Sequence, residues 1–305
     1  MNPFLAIDVP ALIAALLALI ACGTLGNWLV LRKESMTGDA IAHAVLPGLV
    51  AGFLITGTRS ATAMFVGAAI AGVAAILIAG WVRTRSRTDA AAALGIVFTA
   101  FFAVGVSLLE SRGARQVDLD PDCVLFGSLE TLFYVVPSDG SVLSGVPRPL
   151  WTLAAAAILA LTFSALFAKE LSMRAFDAPF TRHAGIAPRT LENALLAVVS
   201  ACIVASFEAV GSVLVVALLA CPALLAAPHA RCVRGQIGIS LCAGCAIATV
   251  GYFLAAHAPS IFGTSTALNA AGMIATLLAF AVPCSHALRA WLHRSSLRAV
   301  TAASR

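Results

Sequence analysis

Residues 11–31 have the sequence ALIAALLALIACGTLGNWLVL, an apolar stretch without a charged side chain. A helix needs about 20 such residues to cross the hydrocarbon core of a bilayer. Similar stretches fill the chain, since 61% of its 305 residues are hydrophobic and only 11% are charged. A soluble domain carries roughly 25% charged residues, and disordered chains combine high charge with low hydrophobicity. The sequence therefore predicts an all-α fold, a polytopic transmembrane helical bundle.

Further apolar segments extend this pattern along the chain and bring the prediction to eight or nine spanning helices. They lie at 39–57, 60–82, 90–110, 149–168, 190–207, 209–227, 236–257 and 266–288. The sixth and seventh spans are short, and only Glu208 separates them, so they form either two tilted spans or one broken or re-entrant segment inside the protein. We expect residues 1–305 to form a single transmembrane domain.

Basic residues lie mainly on one side of the predicted bundle. Fifteen lysines and arginines fall in connections on the side that carries 169–189, and four fall on the other side. Positively charged loops remain in the cytoplasm, so 169–189 is predicted to be cytoplasmic and 111–148 extracytoplasmic. Alternating charged and apolar residues in 169–189, followed by Gly185 and Pro188, predict a short amphipathic helix there.

The main chemical feature is the run GDAIAHAVLPG at 38–48. Asp39 and His43 are four residues apart, so on a helix both project from one face about one turn apart. A carboxylate and an imidazole suit Zn²⁺, Mn²⁺ or Fe²⁺, and ionisable residues in apolar segments are expected to be functional. The alternative is an Asp–His pair that only stabilises the start of the helix. Two ligands cannot close a metal site. Pro47 and Gly48 predict a kink.

Other candidate features carry less chemistry. Glu208 is a second acid among apolar residues, and it faces either a central pathway or the outer interface between two spans. Cys242 and Cys245 lie among small apolar residues without a second pair, which is typical of cysteine used as a small hydrophobic residue. The sequence has no phosphate-binding loop and neither the H-E-x-x-H nor the G-x-S-x-G motif. We therefore do not expect this chain to be an enzyme.

The run 38–48 resembles the signature of the manganese, zinc and iron permease family of ATP-binding-cassette importers. Stretches 89–102, 117–127 and 169–185 are also similar to this family, in the same order, and the likeness extends from about residue 12 to 285. Two features depart from the family pattern. A Pro-Thr-Gly-like turn expected near 263–266 is absent, and Glu208 stands where a neutral residue, often glutamine, is expected.

This resemblance implies a transport permease with several partners: a second, identical or paralogous permease, two ATP-binding-cassette ATPase subunits, an extracytoplasmic metal-binding protein and the lipid of a bacterial inner membrane, with no nucleic acid. It implies that Asp39 and His43 of two chains bind the transported Mn²⁺, Zn²⁺ or Fe²⁺, with no permanently bound cofactor. It also implies a coupling helix from Phe176 through Asp177 to Gly185, where the ATPase binds.

Two other functions stay open from the sequence. An ion-gradient-driven carrier is expected to contain more buried acids than Asp39 and Glu208. An intramembrane metalloenzyme that used Asp39 and His43 would need a third ligand and a general base at bilayer depth.

Overall fold

The computed structural model describes residues 7–57, 61–86, 88–110, 129, 132, 134, 145–176, 188–261 and 268–303. These residues are almost entirely helical, and no strand occurs among them. Seven helices in this part of the chain are long and apolar enough to cross a membrane, and Ala92–Leu108 is a shorter apolar helix. The prediction of an all-α, polytopic helical bundle is confirmed.

The described residues form ten helices. They are α1 (Val9–Leu31), α2 (Met36–Ala44), α3 (Leu46–Thr56), α4 (Ala61–Ser86), α5 (Ala90–Leu109), α6 (Arg148–Leu166), α7 (Ala168–Phe176), α8 (Pro188–Ala226), α9 (Val233–Ile261) and α10 (Ala270–Ala303). Most predicted spans coincide with one of these helices. The span predicted at 39–57 is divided between α2 and α3.

The central helix is α1, which packs against α6, α8 and α9. Its residues are apolar on all sides, as expected for a helix surrounded by other helices. Two buried side chains fix its position: Asn27 donates a hydrogen bond to Ser240 Oγ of α9, and Trp28 Nε1 donates one to Ser164 Oγ of α6, both at 2.7 Å. Unsatisfied polar groups are costly where water is absent, so these bonds stabilise one arrangement of the three helices.

The break between α2 and α3 falls at Val45, just before Pro47. Proline has no N–H to continue the helical hydrogen-bond ladder, and its ring crowds the preceding turn. Val45 itself keeps helical dihedral angles, with φ at −70° and ψ at −28°, so the ladder is interrupted here while the predicted kink stays a prediction. Beyond it, α3 lies directly against α4: a Cβ added to Gly48 would be 2.1 Å from the carbonyl oxygen of Gly67.

Helix α8 is interrupted at Gly211, where φ is 75° and ψ is 167°. Glycine reaches positive φ without the steric cost that a Cβ imposes. The element therefore consists of two helical segments, 188–210 and 212–226, joined at a non-helical residue. The sequence left two separate spans or one broken segment open at this place, and the break lies three residues beyond Glu208.

Both ends of α8 lie beside the C-terminal end of α1. Near the start of α8, Glu192 forms an ion pair with Arg32, the residue that follows α1. Near its end, the backbone of Leu219 meets α1 so closely that a Cβ added to Gly26 would be 1.8 Å from the Leu219 carbonyl oxygen. The chain therefore turns back at Gly211, and the two segments of α8 run in opposite directions.

Basic residues from separate connections meet at this end of the bundle. A cavity of about 770 Å³ is lined by Trp28 of α1, Lys169 of α7 and Arg234 of α9. The pattern of basic residues predicts that Lys169 and Arg234 lie on the same side of the membrane. We call the end of the bundle that carries them the basic end. Its cytoplasmic location stays a prediction. The stretch 117–127 and the turn near 263–266 lie outside the described residues.

Candidate metal site

Asp39 and His43 are one turn apart in the short helix α2, with the aspartate in its first turn and the histidine in its last. His43 Nε2 lies 3.4 Å from Asp39 Oδ1. A carboxylate near a helix N-terminus and an imidazole near the C-terminus both suit the helix dipole. The side chain of Asp39 is 42% exposed and that of His43 is 29% exposed. The pair thus occupies a face that its own chain leaves partly open.

Helix α5 positions the imidazole. The His43 ring lies 5.1 Å from the ring of Phe98 and 5.8 Å from the ring of Phe102, the second contact being edge-to-face at 87°. Rings at these distances restrict the orientation of the histidine. Close packing holds α5 here, since a Cβ added to Gly105 would be 3.0 Å from the backbone nitrogen of Pro47.

The sequence pattern gives no role to Phe98 and Phe102. Both fall in the stretch 89–102 that resembles the permease family, and their spacing of four residues places them on one helix face. That spacing shows that the two rings are neighbours, but it does not show which helix they contact. The contact with His43 joins residues more than 50 positions apart, so only the fold reveals it.

The pair by itself is an incomplete site. Among the described residues, no group of three or more histidine, cysteine, aspartate or glutamate side chains is placed to hold a metal. Structural zinc sites have four protein ligands, and catalytic zinc sites have three. Asp39 and His43 can form an ion pair with each other, or offer one oxygen and one nitrogen to a cation that a second group completes.

In the described part of the chain, Glu208 does not form a group of three metal-binding side chains with Asp39 and His43. It is exposed and lies three residues before the break at Gly211. Glu192 is at the basic end, and a helix rises about 1.5 Å per residue. Glu208 therefore lies away from the basic end, near Ser206, whose hydroxyl is 3.5 Å from Cys22 Sγ in the middle part of α1. Whether it faces a pathway stays a prediction.

The predicted coupling residues lie only partly within the described chain. A helix does form in the 169–189 connection, as α7, and Phe176 at its end is 71% exposed while Leu171 is fully buried. Asp177 and Gly185 lie outside the described residues. An exposed phenylalanine at the basic end is available for a protein contact.

A group of charged residues at the basic end is not evident from the sequence. We call it the ion cluster, and it consists of Arg32, Glu34, Arg174 and Glu192. Arg32 Nη2 lies 3.0 Å from Glu34 Oε2 and 3.6 Å from Glu192 Oε1, and Arg174 donates a hydrogen bond to the other oxygen of Glu192. Burial raises the pKa of the Glu34 carboxyl above its ordinary value, and the Arg32 charge opposes this shift. Opposite charges at helix ends are common, so the positions of these four residues in the sequence do not indicate that they contact one another.

Comparison with known proteins identifies the family. Residues 5–282 match the family described as ABC 3 transport family. The chain belongs to this family. It is 34% identical over 239 residues to the manganese transport system membrane protein MntD of Bacillus subtilis, which is 77% of this chain and 79% of MntD. It is 36% identical over 210 residues to the zinc transport system membrane protein TroD of Treponema pallidum, covering 68% of this chain and 56% of TroD.

The fold of this ABC 3 chain is shared with a solved structure. PsaBC from Streptococcus pneumoniae, in complex with Fab, superposes with a TM-score of 0.71 at 26% identity, covering 90% of this chain and 89% of the other. Together with the family match, this confirms the predicted resemblance to the divalent metal permeases of ABC importers. The roles of Asp39 and His43 as metal ligands stay predictions.

Proposed function

We propose that the chain is the membrane-spanning permease subunit of an ATP-driven importer of manganese, zinc or iron ions in a bacterial inner membrane. The observation that carries this proposal is the Asp39–His43 pair on α2, beside the helix break at Pro47. An ionisable pair in an apolar segment is costly to keep without a function. Relatives named for manganese and zinc transport support a divalent cation as the substrate.

A second permease subunit completes the site in this proposal. Twofold symmetry would bring two aspartates and two histidines together, which equals the four ligands of a tetrahedral ion. The partial exposure of both side chains supports a partner on this face. One carboxylate and one imidazole from each chain accept manganese, zinc and iron alike, so an extracytoplasmic binding protein would select the metal.

ATP hydrolysis belongs to separate ATPase subunits in this proposal, because the chain has no phosphate-binding loop of its own. The ATPase would contact the segment from Phe176 through Asp177 to Gly185, and the exposure of Phe176 supports this position. Transport then requires two states with different metal affinities, since a site of constant high affinity would retain its ion. In this proposal α2 and α8 bend between such states near Pro47, which lacks a backbone N–H, and at Gly211, which is non-helical.

The source of energy separates this proposal from a gradient-driven carrier. In cells that express the chain with its partners, uptake of radioactive manganese is expected to stop when ATP is depleted and the proton gradient is kept. Uptake is expected to continue when a protonophore removes the gradient and ATP is maintained. The reverse pattern would contradict an ATP-driven importer and favour a carrier.

A further inference from the structure

The ion cluster joins both sides of the proposed ATPase-binding segment to the helix that carries the metal ligands. Arg174 lies in the last turn of α7, just before that segment, and Glu192 lies near the start of α8, just after it. Arg32 follows α1, and Glu34 lies in the short turn that leads into α2. Three charged contacts thus connect α7, α8 and the turn between α1 and α2 at the basic end.

Glu192 is the bridge of the ion cluster, because each of its carboxylate oxygens contacts a different arginine. One oxygen accepts a hydrogen bond from Arg174, and the other faces Arg32. The Arg32 side chain is only 4% exposed, and those of Arg174 and Glu192 are 18% and 21% exposed. Contacts between charges at this depth are screened much less by salt and water than contacts on a surface.

The turn between α1 and α2 links the ion cluster mechanically to the metal ligands. The backbone N–H of Glu34 donates to the Leu29 carbonyl at 2.8 Å, and the Glu34 carbonyl accepts from the N–H of Thr37 at 3.0 Å. Asp39 follows Thr37 by two residues on the same helix. The backbone of Glu34 is therefore hydrogen-bonded directly to the first turn of α2, which also contains Asp39.

A cavity lies beside the ion cluster. Its volume is about 90 Å³, and its lining includes Glu34, Thr37, Arg83 and Glu192. The cavity thus lies between the ion cluster and the first turn of the helix that carries Asp39.

We propose that the ion cluster transmits movement of the ATPase-binding segment to α2, and that Glu192 and Arg174 are positioning residues for the metal site. This inference rests on the proposed function. When the segment after Arg174 moves, the bridge through Glu192 pulls Arg32 and Glu34, and α2 changes its tilt at the break before Pro47. Asp39 and His43 then change their geometry without contacting the ATPase.

The test uses the full complex reconstituted in vesicles, with Mn²⁺ ions transported per ATP hydrolysed as the measurement. Glu192→Gln and Arg174→Gln remove charge from the bridge, and Arg231→Gln, an exposed arginine of a connection at the basic end, is the matched control. We expect each bridge variant to lower the ratio roughly tenfold, within the range of ordinary coupling between sites. ATP hydrolysis and Mn²⁺ binding should change by less than about twofold, well below one coupling energy.

The double variant should lower the ratio no further than either single variant, because both interrupt the same bridge. An unchanged ratio in the single variants would overturn the inference, and so would a parallel loss of transport and ATP hydrolysis, which marks a purely structural cluster. If Glu192→Gln fails to assemble, the transport ratio of Arg174→Gln alone tests the inference. If neither variant assembles, the ion cluster is structural and the inference is overturned. Absence of ATP-dependent uptake in the unmodified complex would instead contradict the proposed function.

Discussion

Replacing Asp39 with alanine is expected to reduce metal uptake by about 100-fold or more, because changes to groups that only orient a ligand already cost about 10- to 100-fold in metal affinity. His43→Ala should have an effect of the same order. The folded permease should persist in both variants, because a partly exposed ion pair contributes about 1 kcal/mol or less to stability. Uptake of radioactive manganese or zinc by intact cells, normalised to permease content, measures the effect.

Matched controls separate the metal ligands from other residues of the same type. Asp89→Ala removes an exposed aspartate at the start of α5, and His229→Ala removes an exposed histidine whose Nδ1 lies 3.3 Å from the Leu225 carbonyl oxygen of its own turn. Both controls should retain normal uptake. If Asp39→Ala and His43→Ala also retain it and lower only thermal stability, the pair merely stabilises α2 and the metal site is elsewhere.

Replacing Gly26 with alanine is expected to prevent assembly of the bundle or to lower its melting midpoint by several degrees. The new Cβ would lie 1.8 Å from the carbonyl oxygen of Leu219 and 2.7 Å from its carbonyl carbon. Overpacking typically costs about 1–3 kcal/mol, and this contact belongs at the upper end because backbone cannot rotate away. Small residues have this role between membrane helices, where they let two backbones approach closely.

Gly80→Ala is the matched control for Gly26→Ala. Gly80 also lies within a helix, but a Cβ added there meets nothing within 4 Å. Its variant should be as stable as the unmodified protein or slightly more so, since alanine favours a helix by up to about 1 kcal/mol over glycine. Thermal unfolding of the purified protein, followed by size-exclusion chromatography, compares the two. Equal stability of both variants would contradict the close approach of α1 and α8.

The loss in Gly26→Ala should extend to transport in any protein that still assembles. Leu219 contacts α2 as well as α1, since a Cβ on Gly38 would be 2.9 Å from Leu219 Cδ1. Gly38 immediately precedes Asp39. Displacement of the second segment of α8 therefore disturbs the helix that carries the proposed metal ligands.

The sequence predicts the helices well because each span depends on a local run of apolar residues. The first span is predicted at 11–31, and α1 occupies Val9–Leu31. The division between α2 and α3 before Pro47 is also local, since proline lacks the N–H that continues a helix. The i, i+4 spacing of Asp39 and His43 is local too, and it places both side chains on one face of α2. The distance of 3.4 Å between His43 Nε2 and Asp39 Oδ1 agrees with that expectation.

Contacts between distant residues could not be predicted in this way. The short spans around Glu208 suggested a break, but only the structure places it at Gly211, because many glycines in helices keep helical dihedral angles. The pairing of Arg32 with Glu192 joins residues 160 positions apart. A charge in a turn and a charge in the first turns of a distant helix give no sign in the sequence that they meet.

Locating the bound ion in the assembled complex tests the proposed metal site most directly. In a structure of the complex loaded with Zn²⁺, identified by its anomalous scattering, one ion should lie about 2.0–2.2 Å from a carboxylate oxygen of Asp39 and a ring nitrogen of His43. The same two residues of a second, identical permease, or their equivalents in a paralogue, should complete its coordination. An ion bound elsewhere in the membrane, with the Asp39–His43 ion pair intact and turned toward lipid, would contradict the proposed site.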